Sequence, residues 1–421
     1  MSRWSRVSPI PPPGRLRTLS LATLANTVGS GLWLTGGALY LTRDVGLSPA
    51  AVGAGLTLAG LVGLTASVPL GALADRRDPR TLRALVQLGQ GFAAAAYLLV
   101  DSFPVFLTVA ILEMLLASGN LAVRAALVAA VAGPQGRVHA FATLRAVANL
   151  GIAVGAGLAG LALAADSHLA YQVLVAGNAL TYLLSAALLL RLPAYPPAGG
   201  GKVSGGPRRP GAALRDVRFL AVSGASAVLA LHWTVLALVV PLWTVTRAGA
   251  PPPVVSAVLL TNTVLTVLLA VRLARGADDA TRAARSMRRA GLVLATAMLL
   301  YASTAGLPPA ASVAVLLAAT VVYTFGDLWH GTAGAGLAYD LAPPDAIGAY
   351  QGVDGMLAGL ARALGPALLT LLVLGGGVPG WLAVGAVFSG VGLATPALTR
   401  WALANRRPAR PVTGDRPAAP V

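Results

Sequence analysis

The chain has no cysteine and one lysine, Lys202, and only 14 of its 421 residues are acidic. Without cysteine there is no disulfide, no thiolate nucleophile and no cysteine-bound metal. Charge is scarce, at 11% of residues, and aromatics make up 5%. There is no glycine-rich phosphate loop ending in lysine, no His-Glu-x-x-His and no soluble stretch large enough for catalysis. These absences argue against ATP-driven work, metal chemistry and enzymatic turnover, and no cofactor or metal is expected. What the chain does have is apolar surface: 56% of residues are hydrophobic and the mean hydropathy is +0.75. So few polar groups could not cover a soluble protein of this size. A bilayer would solvate it.

A membrane helix needs about 20 mostly apolar residues. Twelve stretches qualify: 18–41, 49–72, 82–100, 104–131, 143–165, 170–192, 217–245, 252–274, 287–305, 310–338, 351–375 and 379–402. Polar residues interrupt the run 310–338 and blur its boundaries. The expectation is an all-α, polytopic membrane protein. The formal charge of +17 does not point to nucleic acid, because of where it sits. With the N-terminus cytoplasmic, Arg43 and Arg247 alone fall outside, and Arg124 and Arg362 lie within spans. The remaining basic residues all fall on the cytoplasmic face, as the positive-inside rule requires. The exception is the turn 339–350, which carries Asp340 and Asp345 and no Lys or Arg. The first span lacks a cleavage site and reads as retained. Near-exclusive use of arginine, with abundant Ala and Gly, fits a GC-rich bacterial genome and hence the cytoplasmic membrane.

Residues 193–214 are rich in proline and glycine and cannot continue a helix. They divide the chain into a cytoplasmic tail 1–17, a six-helix bundle 18–192, a cytoplasmic linker 193–214, a second six-helix bundle 215–403 and a cytoplasmic tail 404–421. The halves echo each other. Trp33 and Trp233 each stand in the first span of their half, and Leu73-Ala74 before Asp75 matches Leu273-Ala274 before Arg275. Such parallel repeats bracket a midplane binding site in many secondary transporters.

Between the second and third spans stands Gly71-Ala72-Leu73-Ala74-Asp75-Arg76-Arg77-Asp78-Pro79-Arg80. This resembles the loop signature of the major facilitator superfamily, with Asp78 where that family usually has glycine and Pro79 where it has a basic residue. The resemblance implies two bundles that rock about a central site. It also implies a gating role for Gly71, Asp75, Arg76 and Arg80, with Asp75 meeting the positive end of the eleventh helix. Span five carries Arg145-Ala146-Val147-Ala148-Asn149-Leu150-Gly151, then Gly155, Ala159 and Gly160. That run is similar to the glycine-rich fifth helix of drug:proton antiporters in the superfamily, without their proline. Close packing of small residues explains the same stripe equally well.

Ionisable groups within spans are functional candidates. They are Glu113 and Arg124 in span four, Asp327 and His330 in span ten, and Asp354 and Arg362 in span eleven. Glu113, Asn120 and Arg124 share one helix face, and Tyr323, Asp327 and His330 share another. The family resemblance implies that helices one, four, seven and ten line the cavity, so Glu113 and Asp327 are expected to face each other and to carry protons. Asn26, Trp33, Asn120, Arg124, Asn149, His232, Trp233, Tyr323 and His330 are the expected substrate contacts. Tyr40 and Trp243 read as interfacial anchors, and Asp354 as a helix cap or a partner of the basic loop 76–83. The resulting expectation is proton-driven efflux of an amphipathic small molecule by a monomer, with protons, substrate and lipid as its partners. An importer or uniporter, or a non-transporting sensor of the same fold, are the alternatives.

Overall fold

The computed structural model describes residues 11, 13–164, 167–196, 211–251, 253–273 and 279–404. Among these, every regular element is helical. We label the long helices in chain order. In the first half they are α1 (Arg15–Leu39), α2 (Pro49–Gly63, continued after one tight turn by Ser67–Arg76), α3 (Pro79–Ala96), α4 (Phe103–Gly133), α5 (Gly136–Ala162) and α6 (His168–Leu190). In the second half they are α7 (Val217–Thr246), α8 (Pro253–Leu273), α9 (Ala280–Ser303), α10 (Pro309–Asp340), α11 (Ile347–Leu369) and α12 (Val378–Leu403). The expected linker 193–214 and both expected tails lie largely outside the described residues, as does Arg275.

Local chemistry sets the helix starts. Side-chain oxygens of Ser48, Asp78, Ser167, Asp216 and Asp279 each accept a hydrogen bond from a backbone N–H in the first turn of the helix that follows. Such caps satisfy donors that helix geometry leaves open. Helices α4 and α5 run on from each other except at Gly133, whose φ of 65° and ψ of 175° break the helix. That left-handed backbone suits glycine.

Nine helices among the described residues are long and apolar enough to cross a membrane, so the chain is a multi-pass membrane protein. α1, α3 and α9 fall short of that measure. α3 spans only 18 residues and holds Arg80, Arg83, Gln87 and Gln90, while α9 opens with Arg282, Arg285, Arg288 and Arg289. The polar interruption expected in 310–338 does not break α10, which is continuous from Pro309 to Asp340. Large apolar side chains such as Leu34, Leu99 and Leu371 point outward, away from the protein, as a lipid-facing surface requires.

The helices pack as two groups. In the first, α1 contacts α5 and α6, and α3 contacts α4 and α6; in the second, α9 contacts α10 and α12, and α7 contacts α11 and α12. The groups meet where α2 crosses α11 and where Ala146 of α5 packs with Leu269, Ala270 and Leu273 of α8. The glycine stripe of α5 faces α1: a Cβ on Gly151 would strike Thr27, and one on Gly155 would strike the Val28 carbonyl. The stripe therefore permits close packing within the first group.

Two aromatic expectations are corrected. Tyr40 is buried, and its hydroxyl donates to the Tyr97 carbonyl at 2.8 Å. Trp243 is 1% exposed, donates from Nε1 to Thr304 Oγ1 at 2.9 Å and stands edge-on to Trp381. Both satisfy their polar atoms inside the protein, so neither serves as an interfacial anchor. The acidic turn also has a local reason: Asp340 accepts the backbone N–H of Ala280 at 2.7 Å, at the positive N-terminus of α9.

Candidate functional site

A cavity of about 430 Å³ lies between the helix groups. Phe141, Arg145 and Asn149 of α5 form its wall in the first group, and α7, α8, α10 and α11 form the opposite wall. At its centre Arg145 Nη2 donates to Asp327 Oδ1 at 2.6 Å, across the boundary between the groups. Trp233 Nε1 donates to the same oxygen at 3.1 Å. Arg362 rests over the Trp233 ring, 5.5 Å from its centroid, a cation–π contact. The Asp327 carboxylate thus holds an arginine from one group and an indole from the other.

Behind this cluster, His232 is fully buried and joined to Tyr323 Oη at 2.6 Å and to His330 at 3.0 Å. His330 reaches Ser226, and the Tyr323 hydroxyl donates to the His232 carbonyl at 3.0 Å. His232 Nε2 also lies 3.6 Å from Asp327 Oδ1. Hydrogen bonds thus join Ser226, His330, His232 and Tyr323 into one buried network beside Asp327, strengthened by its low-dielectric surroundings.

The structure brings together Asn149, Trp233, Tyr323, Asp327 and His330 around the cavity, with His232 one layer behind. It does not bring the remainder there. Glu113, the single glutamate, points into the first helix group, where it pairs with the Tyr182 hydroxyl of α6 and lies near Tyr97. It does not face Asp327. Asn120 donates to Gln90 of α3 at 2.9 Å, and Trp33 stacks against Tyr97 with centroids 4.4 Å apart. Arg124 lies near Tyr339 and Arg83, and Asn26 is outside the cavity lining. α4 turns Glu113 toward α6 and Asn120 toward α3, while Arg124 sits beside Tyr339 of α10, which periodicity alone could not decide. Arg145, Asn262, Asp354 and Arg362 complete the cavity. Asp354 pairs with Ser223 of α7, not with the basic loop, and it is not an end cap. Arg145 was hidden by its place near the start of span five, where it reads as one more positive-inside arginine.

The loop signature closes one end of the molecule. Asp75 Oδ1 accepts the N–H of Gly348 at 2.6 Å, and Oδ2 accepts that of Ala349 at 2.9 Å. Both donors belong to the first turn of α11, where a carboxylate is favoured. Gly71 permits the crossing, since a Cβ there would collide with the Gly348 carbonyl. Arg76 is exposed beside Asp75. Arg80 does not cross to the second group: it pairs with Asp78 at 3.2 Å and donates to the carbonyls of Leu190 and Leu192. Asp78 replaces the usual glycine because it caps α3 and receives the Tyr195 N–H. Burial works to raise its pKa. The Thr81 hydroxyl, the Tyr195 and Arg80 N–H groups and the Arg80 charge outweigh it and hold the carboxyl below the usual range.

Two bundled groups of apolar helices, a cavity between them crossed by an ion pair and a carboxylate latch at one end define a membrane transporter fold. The family model for the Major Facilitator Superfamily matches residues 19–366, and the chain belongs to that superfamily. Solved structures agree. The human organic anion transporter MFSD10 (TETRAN) is 18% identical with a TM-score of 0.66, covering 92% of this chain and 100% of its own. A bacterial homologue of the iron transporter ferroportin, in an outward-facing state, is 14% identical with a TM-score of 0.71, covering 93% and 100%. The proton:xylose symporter XylE is 15% identical with a TM-score of 0.62, covering 90% and 94%. At these identities the likeness concerns the fold. No curated protein matches the sequence.

Proposed function

We propose that the chain exports a small amphipathic compound across the cytoplasmic membrane in exchange for protons. In this reading all twelve helices span the membrane, both termini are cytoplasmic, and the Asp75–α11 latch closes the cytoplasmic side. The observation that carries the reading is the Arg145–Asp327 bridge. Its partners belong to opposite helix groups, so it forms only while the groups are close at that depth. Protonating Asp327 leaves Arg145 without its counter-charge. Losing one member of a buried pair costs about 3–5 kcal/mol, enough to move a two-state equilibrium by roughly two to three orders of magnitude. A proton arriving from outside would thus favour parting of the groups toward the cytoplasm.

The cavity supports the choice of cargo. It is mostly apolar, with the Trp233 ring, two carboxylates and two guanidiniums in its wall, and its size suits a drug-sized ligand. Asp327, and not Glu113, carries the coupled proton in this scheme, because Glu113 lacks access to the cavity. The test is pH-driven uptake of an amphipathic fluorescent cation into everted vesicles. Asp327→Asn should lower uptake at least about tenfold, while Glu113→Gln keeps it close to wild type. Coupling that survives Asp327→Asn would remove the scheme. Accumulation of the compound by intact cells would favour the importer reading instead.

A further inference from the structure

A second polar site lies between α3 and α4, bordered by Tyr339 of α10 and apart from the lining of the central cavity. Arg83 and Gln87 lie one turn apart on α3 and are 1% and 0% exposed. Arg83 leaves Nε and Nη1 without a partner, and Gln87 leaves both Oε1 and Nε2 without one. The Asn120–Gln90 hydrogen bond pins α3 against antiparallel α4. That register sets Arg124 across from Gln87 and Arg83, close enough for the two guanidinium charges to repel. Among the described residues no carboxylate pairs with either arginine. Glu113 is the acid on this helix face, but it stands eleven residues from Arg124, about 16 Å along the axis, and is engaged with Tyr182.

Two neighbouring cations inside a membrane-embedded bundle, with no counter-charge, are unfavourable unless something neutralises them. An anion held by guanidinium and amide N–H groups does so and satisfies the orphaned donors together. We propose that Arg83, Arg124 and Gln87 bind a small anion of halide or short-carboxylate size. It enters past Arg124, which is partly exposed.

The experiment is thermal unfolding of the purified full-length protein in detergent, at fixed pH and ionic strength. Gluconate, bulkier than the proposed ligands, is exchanged stepwise for chloride, nitrate or acetate. The wild type should show a saturable rise in Tm of about 2–4 °C, and Arg83→Gln should show none. In gluconate Arg83→Gln should also unfold no lower than wild type, because the uncompensated charge is gone. Arg145→Gln should keep the anion response. No saturable response in wild type, or an equal one in Arg83→Gln, overturns the proposal. So does loss of the response in Arg145→Gln, which would place the anion in the central cavity. Should Arg83→Gln fail to fold, Arg124→Gln, which also removes one of the two charges, is read by the same criteria.

Discussion

At the scale of single residues, the aromatic and acidic side chains carry the most information about this protein, because there are so few of them. Trp243 illustrates their structural role. Its indole fills the packed region beside Trp381 and its Nε1 has one partner, Thr304. Trp243→Phe removes that hydrogen bond and part of the volume, and should lower stability by about 1–3 kcal/mol. Thermal unfolding in detergent reads this, and an unchanged midpoint would show that the site repacks freely. The sequence marked Asp327, His330 and Tyr323 as a group because helical spacing places them on one stripe, and offered Trp233 separately as a cavity residue of span seven. It could not show that Arg145 completes them, since pairing across α5 and α10 is a property of how the helix groups dock. Glu113 shows the converse. Its burial was legible, but the direction it faces depends on the rotation of α4 about its own axis, and no pattern of one helix reports that.

At the scale of elements, the connection from α2 to α3 is built from capping chemistry. Asp78 caps α3, pairs with Arg80 and accepts the Tyr195 N–H, so it ties the start of α3 to the chain beyond α6. Its pKa is held below that of an unfolded aspartate, about 3.9. The stabilisation it gives is therefore present above that value and is lost as pH falls through the folded pKa. The thermal midpoint of wild type should decline between about pH 5 and about pH 2 more steeply than that of Asp78→Asn, which can still cap the helix but cannot titrate. Parallel curves would mean that Asp78 contributes nothing through its charge. The departure from the family's glycine, visible in the sequence as an anomaly, becomes an N-cap once the helix start is seen. Element existence was readable from hydropathy. The polar content of α3 and α9 is where apolar length stops being a sufficient guide: α3 buries Arg83, Gln87 and Gln90 against protein, while α9 opens with four exposed arginines before its apolar run.

At the scale of the whole molecule, two carboxylate contacts join the helix groups, beside the packing of α5 on α8 and the Tyr339–Ala125 hydrogen bond: the Asp75 latch on α11 and the Arg145–Asp327 bridge at the cavity. The loop signature made the first legible in advance, since a carboxylate at the end of α2 needs donors and a helix N-terminus supplies them. The second emerges only from the packed structure. Each should bias the same equilibrium between closed and parted groups. Asp75→Asn should weaken the latch and increase the parted population, while Asp75→Glu pushes the carboxylate into a crossing that Gly71 and Gly348 keep tight. Flux measured with a pH gradient should fall in both. Wild-type flux in both would detach the latch from the transport cycle.

The absence of cysteine makes the central claim directly measurable, since two introduced thiols are the sole labelling sites. Arg77 and Pro344 are exposed on either side of the latch, and spin labels on Arg77→Cys and Pro344→Cys report the distance between the groups by pulsed electron resonance. The account predicts one short distance at neutral pH and a longer population on acidification. The longer population should appear at every pH when Asp327→Asn is added. A distance distribution that ignores both pH and Asp327→Asn would contradict it.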